Sequence, residues 1–322
     1  MNKKQLAPII IFAYNRPKKL QNLLKSLELN SELKNSKIIF FIDSSKTSKE
    51  KINNEKVISI VTEWSEGYDC EINISTINMG LKNNILNGIN TTFENYEKAI
   101  FLEDDLEVSK SFLSYMNKSL EKYINDKNVK HISGYNYPGF GGNQNSSYFT
   151  PYMSCWGWGT WKDRWSENKN FTENNISNKN KLTRLKFTVL GYEKDFESQL
   201  IRNSNNEINT WAIYWFQHIF LNKGLCLNPI QSLVINNGVD GVQPVITNSS
   251  GQVLGENNFD EECQDPYVFC YQELNPVKGD WSATTEIFDQ STATGNSIIA
   301  MEKSFYGTFK IKSDCTTNTL KE

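Results

Sequence analysis

Histidine is scarce in this chain, which carries only His131 and His218 among its 322 residues. A zinc site built on histidines, or a serine–histidine–aspartate triad, therefore has little material to form from. The six cysteines include no Cys-x-x-Cys pair. Free thiols are the preferred expectation, and a bridge between Cys263 and Cys270 stays open. Metal binding and acid–base chemistry thus fall to carboxylates.

Long apolar runs and long basic tracts are missing as well. No segment approaches the roughly 20 apolar residues that a membrane-crossing helix needs, and the run Pro8–Ala13 is too short for the core of a secretion signal. The net charge of -3, with basic and acidic residues interspersed, argues against a nucleic-acid partner. Phosphate loops of the GxGxxG or P-loop type are also absent. We expect a cytoplasmic protein without a transmembrane segment, and a peripheral contact with a membrane surface stays open.

The first third of the chain contains alternating strand and helix patterns. The runs that predict buried strands are Pro8–Ala13, Lys37–Ile42, a looser one over Ile72–Ile77, and Ala99–Leu102. Apolar residues at helical spacing follow Pro17 and Gly80, whereas the polar, lysine-rich stretch after the second strand predicts only a connection. We predict an α/β fold with a Rossmann-like, mostly parallel central sheet flanked by helices.

The later part of the chain is less regular. A tryptophan-rich stretch follows Gly134, Trp211–Leu221 predicts a buried helix, and Leu225–Ile235 has the pattern of a strand. After about Pro244 the composition shifts to serine, threonine, glycine and asparagine with weak periodicity. We therefore predict one domain over residues 1–245 and a small, partly irregular C-terminal accessory segment over 246–322.

Charged side chains follow three of the predicted strands. They are Arg16, Asp43 and the triplet Glu103–Asp105. Ligands of open α/β sheets bind outside the carboxyl ends of the strands, so we expect these residues to converge on one crevice. Adjacent carboxylates repel one another unless a cation compensates, and hard oxygen ligands suit Mg²⁺ or Mn²⁺. The alternative is an acidic turn before a helix for the triplet, and ordinary turn residues for Asp43 and Arg16.

The order of these motifs resembles a known family. The matching pieces are Pro8–Pro17, Ile42–Asp43, Asn78–Leu81, Ala99–Val108 and the tryptophan-rich Ser154–Trp161. Together they resemble bacterial family 2 sugar transferases and, more distantly, N-acetylglucosaminyltransferase I, over about residues 8 to 240. The resemblance implies a GT-A fold and metal-dependent, inverting transfer of a sugar from a nucleotide-sugar donor, first of all a UDP-sugar. The acceptor would be a glycan, a lipid-linked molecule or a protein, in the synthesis of surface polysaccharide or glycoconjugates.

The resemblance also implies residue roles. The metal ligand for Mn²⁺ or Mg²⁺ would be Asp105, and the donor-binding residues would be Arg16, Asp43, Asn78, Gly80, Glu103 and Asp104. Within this set Asp43 would bind the base, Arg16 would lie near the nucleotide, and Asp104 would contact the ribose or the transferred sugar.

The catalytic base departs from the family pattern. In N-acetylglucosaminyltransferase I a Trp-Asp-Asp-Trp segment supplies the base, but the comparable stretch here, Trp211–Trp215, contains no acid. An inverting displacement still needs a base within reach of the acceptor hydroxyl. Asp240 is our first candidate and Glu207 the second. The alternative for Asp240 is an ordinary Asp-Gly turn.

Two tryptophans are candidates for the acceptor site, and two other functions stay open. Indole faces stack on sugar rings, so Trp156 and Trp158 are expected to bind the acceptor unless they pack in the core. The missing acid also suits a non-catalytic nucleotide-sugar- or glycan-binding module of the same fold. A nucleotidyltransferase is the third hypothesis. It is disfavoured because the first strand is not followed by a loop rich in glycine and in lysine or arginine.

Overall fold

The computed structural model describes residues 6–136, 147–168, 171, 173–188 and 195–238, with the backbone of 301–302 and 310–311. Asp240, the pair Cys263 and Cys270, and nearly all of the predicted accessory segment lie outside these residues. Cys70, Cys155 and Cys226, the cysteines within them, carry free thiols. None of the described helices is both long and apolar enough to cross a membrane.

Helices and strands alternate through the first half of the chain. The strands are β1 (Ile9–Ala13), β2 (Ile38–Ile42), β3 (Cys70–Ile74), β4 (Lys98–Glu103), β5 (Leu106–Val108), β6 (Val129–Ser133), β7 (Tyr148–Thr150), β8 (Trp158–Trp161), β9 (Leu225–Asn228), β10 (Val234–Asn236), β11 (Met301–Glu302) and β12 (Lys310–Ile311). The helices are α1 (Pro17–Glu28), α2 (Ser48–Ser65), α3 (Leu81–Asn95), α4 (Phe112–Lys122), α5 (Lys162–Ser166), α6 (Lys181–Phe187), α7 (Asp195–Ser204) and α8 (Ala212–Leu221), with one 3-10 turn at Leu33–Asn35.

Eight strands form one sheet in the order β3-β2-β1-β4-β8-β6-β9-β7. The strands β3, β2, β1 and β4 are parallel to one another, and β6 is parallel to β9. The strand β8 runs antiparallel to both of its neighbours, and β7 runs antiparallel to β9. Six of the eight strands therefore point the same way, which confirms the mostly parallel sheet. Separate antiparallel pairs join β5 to β10 and β11 to β12.

Both faces of the sheet are covered by apolar packing. Along β1, Ile9 and Ile11 face one cluster, which includes the leucines of α1 and the valines of α2, whereas Ile10 and Phe12 face the other, which includes α3 and α8. Every residue of β1 is buried. A strand covered on both faces needs apolar side chains at successive positions, which explains the continuous apolar run in the sequence.

Helix α2 occupies the stretch that the sequence analysis interpreted as a polar connection, so that interpretation is wrong. The helix starts at a capping box, in which the Thr47 hydroxyl accepts a hydrogen bond from the Glu50 N–H at 3.3 Å and donates to the Glu50 carboxylate at 2.8 Å. Its buried residues are Asn54, Val57 and Val61. Three buried side chains over 18 residues give too weak an apolar stripe for periodicity to reveal.

Two further differences concern the second half of the chain. The predicted strand Leu225–Ile235 is two strands, β9 and β10, which belong to different sheets. Pro229, which has no N–H to donate to a ladder, follows directly after β9. The tryptophan-rich stretch contributes β8, which is inserted between β4 and β6 in the middle of the sheet.

Candidate functional site

A cavity of about 570 Å³ opens at the carboxyl ends of β1, β2 and β4. All seven residues assigned to the donor and the metal line it: Arg16, Asp43, Asn78, Gly80, Glu103, Asp104 and Asp105. These residues come from four separate stretches of the chain, and the parallel strand order brings the stretches together. The volume falls within the range of about 300–1,000 Å³ that is usual for small-molecule sites.

Asp43, directly after β2, holds one wall of the cavity. One carboxylate oxygen accepts hydrogen bonds from the N–H of Ser44 at 2.9 Å and of Met79 at 2.8 Å. The other accepts from the N–H of Gly80 at 2.9 Å and from the Asn78 amide at 3.2 Å. A carboxylate has about four lone-pair positions, and here the protein uses four. Asp43 was predicted to bind a nucleobase; it lines the cavity, and its carboxylate oxygens hold the loop that precedes α3.

The loop held by Asp43 leads into α3. Gly80 has a φ of 75°, in the left-handed region where glycine is favoured, and it occupies the N-cap position of α3. The unpaired N–H groups of a helix N-terminus carry partial positive charge, and the cavity lining continues from Gly80 to Leu81 and Asn84 of this first turn. The arrangement suits an anionic or hydrogen-bond-accepting ligand.

Several residues of the site were not predicted from the sequence. The amide of Asn54, in α2, donates to the backbone carbonyls of Tyr14 at 2.7 Å and of Asp43 at 2.8 Å, so it joins the ends of β1 and β2. Asn84 lines the cavity and is 5% exposed, and its side-chain oxygen has no hydrogen-bond partner within the described part of the chain. The Thr-x-x-Glu pattern at Thr47–Glu50 was the available signal for α2, and hence for Asn54.

The acidic triplet is largely buried, and its charges repel one another. Asp104 is 7% exposed and accepts a hydrogen bond from the Tyr14 N–H at 3.1 Å. Burial, followed by the charge of Asp105, raises the pKa of Asp104 to about 6. Burial, followed by the charges of Asp105 and Asp104, raises the pKa of Glu103 to about 8. The charge of Arg16 acts in the opposite direction but is the smaller effect. The cluster therefore favours either protonation or a cation at this edge of the sheet.

Asp105 is the member of the triplet that already has a cationic partner. Its Oδ2 lies 2.6 Å from the Nη1 of Arg16, with the Asp105 side chain 14% exposed and the Arg16 side chain 40% exposed. The chain returns to Asp105 after β10: the N–H of Asn237 donates to the Asp105 carbonyl at 2.8 Å, and a Cβ at Gly238 would overlap Oδ2. The Asp105 carboxylate is thus enclosed between Arg16 and the segment after β10.

The chemistry of these side chains fits a hard divalent cation. The acidic cluster offers only oxygen atoms, the ligands that Mg²⁺ and Mn²⁺ prefer. The described residues contain no group of three or more histidine, cysteine or acidic side chains arranged as a complete metal cage. A cation held here would therefore use one or two carboxylates and complete its coordination with phosphate and water, as Mg²⁺ commonly does.

The profile of glycosyl transferase family 2 matches residues 9–198, which is more than half of the chain. The chain belongs to this family. The match includes all seven cavity residues, and the eight-stranded sheet flanked by helices is accordingly the GT-A fold that the sequence predicted. No curated protein matches the chain.

Two solved structures of TarS from S. aureus are similar to parts of the chain. Both alignments have 15% sequence identity, with TM-scores of 0.36 and 0.37. They cover 51% and 53% of this chain, and 30% and 51% of the TarS chains.

Both candidate bases lie beyond the part of the chain that matches family 2. Glu207 is exposed, follows α7, accepts a hydrogen bond from the Asn205 amide at 3.0 Å and lies 3.8 Å from Arg202. It is not among the residues that line the cavity. Asp240 lies outside the described residues, two positions after Gly238, whose backbone packs against Asp105.

The two tryptophans have different surroundings, and neither lines the cavity. Trp158 is 2% exposed, and its ring packs against Phe101, His131 and Trp211, with centroids 4.6–5.3 Å apart. Because protein covers this ring, no sugar can stack on Trp158 in this structure, which corrects the expectation of acceptor binding. Trp156 is partly exposed and packs edge-on against Tyr135.

The stretch without an acid, Trp211–Trp215, also lies in the core. Trp211 is 3% exposed, and Trp215 is fully buried at the start of α8. The described lining of the cavity includes no residue of this stretch. The absence of an acid there therefore carries little weight against catalysis at the cavity.

Proposed function

We propose that this family 2 chain is a metal-dependent glycosyltransferase. It moves a sugar from a nucleotide-sugar donor, first of all a UDP-sugar, to a glycan, lipid-linked or protein acceptor, with inversion at the anomeric carbon. The product belongs to a surface polysaccharide or a glycoconjugate. The observation that carries this proposal is the convergence of Arg16, the loop held by Asp43 and the acidic triplet on one cavity.

The chemistry of the lining suggests how the donor lies in the cavity. The guanidinium of Arg16 offers paired N–H donors to diphosphate oxygens. The first turn of α3, which follows the loop from Asn78 to Gly80, provides backbone N–H donors for the nucleoside. Asp43 keeps that loop in place through three hydrogen bonds.

Transfer requires charge compensation for the leaving group and a base for the acceptor. When bound, Mg²⁺ or Mn²⁺ would be held by Asp105 and would supply positive charge beside the diphosphate. The acceptor oxygen bonds to the anomeric carbon while the bond from that carbon to the diphosphate oxygen breaks, and the electron pair leaves with the nucleoside diphosphate. The acceptor proton passes to a base, for which Asp240 is the first candidate and Glu207 the second.

The donor class is tested by thermal denaturation with UDP-, GDP- and dTDP-sugars, each with and without Mn²⁺. A ligand that binds only the folded state raises the unfolding temperature by mass action. We expect one nucleotide class to stabilise the chain, and more strongly with Mn²⁺. Stabilisation that Mn²⁺ leaves unchanged for every nucleotide would contradict the metal-dependent proposal.

Turnover is tested with Asp105→Ala, measured as release of nucleoside diphosphate. We expect a loss of about 100-fold or more, because one source of leaving-group stabilisation is removed. Glu97→Gln, at an exposed acid directly before β4, is the matched control and should retain activity. Metal-independent turnover that survives Asp105→Ala would overturn the proposal. Donor binding without transfer or hydrolysis, over a broad acceptor panel, would favour the non-catalytic binding module instead.

The two candidate bases are separated by Asp240→Asn and Glu207→Gln. We expect Asp240→Asn to abolish transfer but to keep the UDP affinity, since its role concerns the acceptor hydroxyl. Glu207→Gln should leave transfer nearly unchanged because Glu207 is exposed outside the cavity. The reverse result would assign the base to Glu207.

A further inference from the structure

We infer that Arg16 serves as the resident counter-ion of Asp105 and leaves this carboxylate when a donor diphosphate binds, so that the nucleotide and the divalent cation are bound cooperatively. This inference rests on the proposed function and gives Arg16 a second partner within the same cavity. In the nucleotide-free protein, Arg16 thus opposes binding of a divalent cation at Asp105.

The geometry around Asp105 leaves little freedom for a second cation. The guanidinium lies 2.6 Å from Oδ2, and the backbone of Gly238 packs against the same oxygen. A divalent ion at this carboxylate would face the positive charge of Arg16 at close range and in a mostly buried position. Like charges at such a site raise each other's free energy, so either one binds more weakly in the presence of the other.

Arg16 is able to exchange partners. Its backbone is fixed between β1 and Pro17, the first residue of α1, but its side chain is 40% exposed and lines the open cavity. A diphosphate offers a guanidinium several charged oxygens in a bidentate arrangement, which is a stronger partner than a single carboxylate oxygen. Movement of the guanidinium from Asp105 to the diphosphate would release one carboxylate and add one phosphate contact.

Two consequences follow from thermodynamic linkage. Removal of the Arg16 charge should tighten metal binding in the absence of nucleotide, because the competing cation is gone. Neutralisation of Asp105 should tighten nucleotide binding in the absence of metal, because the guanidinium no longer has to leave a carboxylate. Both effects arise from the same ion pair between Arg16 and Asp105.

The first experiment measures Mn²⁺ binding to the full chain without nucleotide, by electron paramagnetic resonance of free Mn²⁺. We expect Arg16→Gln to bind Mn²⁺ at least about fivefold more tightly than the wild type, the lower end of usual coupling between sites. Arg16→Lys, which keeps the charge, should bind as weakly as the wild type. Lys18→Gln, which removes an exposed charge two residues away, is the matched control and should change the affinity little.

The second experiment measures UDP binding in excess EDTA by calorimetry, and it does not require Arg16→Gln to fold. Asp105→Asn should bind UDP about fivefold or more tightly than the wild type under these conditions. Equal or weaker binding in both Arg16→Gln with Mn²⁺ and Asp105→Asn with UDP would overturn the inference while leaving the proposed function intact. If no form of the protein binds UDP or Mn²⁺, the proposed donor site itself is wrong, and the inference falls with it.

Discussion

A single carboxylate, that of Asp43, connects β2 to the loop before α3. It accepts three backbone hydrogen bonds and one from the Asn78 amide, at 4% exposure. Hydrogen bonds to a charged acceptor stabilise a protein more than neutral ones do. A buried donor that loses its acceptor is also costly, because water cannot reach it as a substitute. The conformation of the loop therefore depends on the charge of this side chain.

Asp43→Asn tests this dependence. The amide cannot accept all four bonds, so we expect the free energy of unfolding in urea to fall by about 1–3 kcal/mol and UDP to bind more weakly. Asp69→Asn makes the same change at an exposed ion pair with Lys37 and should cost about 0–1 kcal/mol. Equal stability of the wild type and Asp43→Asn would show that the loop does not need the carboxylate.

His131 is a buried histidine that must stay neutral. Its Nδ1 accepts a hydrogen bond from the Trp215 indole N–H at 3.2 Å, so Nε2 carries the proton and donates to the Ser154 carbonyl at 3.0 Å. Burial lowers the pKa of His131 to about 3, from an ordinary 6.5. Between pH 3 and pH 6.5 the unfolded chain binds a proton at His131 that the folded chain does not. The free energy of unfolding therefore falls as the pH drops below 6.5.

His131→Gln should remove this dependence on pH. At pH 7 we expect the variant to be less stable by about 1–3 kcal/mol, because the flexible amide does not replace both hydrogen bonds of the buried ring, to Trp215 and to Ser154. As pH falls from 6.5 to 4.5, the gap to the wild type should narrow by up to about 1.4 kcal/mol per pH unit. Urea unfolding at several pH values measures this difference in the free energy of unfolding. The contributions of most other titrating groups are the same in both proteins and cancel. A gap that does not change with pH would mean that His131 titrates normally.

Five of the seven predicted residues, Arg16, Asp43 and Glu103–Asp105, could be predicted because they follow strand ends that the parallel order of the strands sends to one edge, whereas Asn78 and Gly80 came from the family resemblance. Their contacts could not be predicted. Three of the four bonds to Asp43 depend on the conformation of a loop that lies more than 30 residues further along the chain. The enclosure of Asp105 by Gly238 depends on a return of the chain after β10 that no local pattern encodes.

The helix α2 shows how a polar sequence specifies a helix. Its N-terminus is fixed by the Thr47 capping box, and its inner face joins β1 to β2 through the amide of Asn54. We expect Thr47→Ala to lower the free energy of unfolding by about 1 kcal/mol, whereas Thr47→Ser, which keeps the hydroxyl, should cost much less. Denaturation in urea measures both, and equal losses would mean that the cap does not stabilise α2.

The predictability of the other elements follows from their environment. The strands β1, β2 and β4 carry continuous apolar runs because both faces of the sheet are covered, and α1 carries a clear leucine stripe. The sequence pattern did not predict β8, because its four residues include Gly159. The missing side chain of this glycine lets the strand approach Ala99 and Met116 closely. Its position between β4 and β6 is set by pairing partners far away in sequence.

The acidic triplet makes the stability of the folded chain depend on pH with a sign opposite to that of His131. The pKa of Glu103 rises from an ordinary 4.5 to about 8, chiefly through burial. Between these values the folded chain holds a proton that the unfolded chain has lost, so the contribution of Glu103 to stability declines as pH rises from 4.5 to 8. Asp104 has the same sign over a lower window, from 3.8 to about 6.

Glu103→Gln isolates this contribution. Without divalent cations, the free energy of unfolding of the wild type should fall relative to the variant by up to about 1.4 kcal/mol per pH unit between pH 5 and 8. Above pH 8 the variant should therefore unfold at a higher temperature than the wild type, because the amide avoids a buried charge beside Asp104 and Asp105. Glu55→Gln, in an exposed pair with Lys51, is the control and should follow the wild type at every pH. Parallel pH profiles for the wild type and Glu103→Gln would show that Glu103 ionises normally in the folded chain, and the repulsion inferred within the triplet would then be wrong.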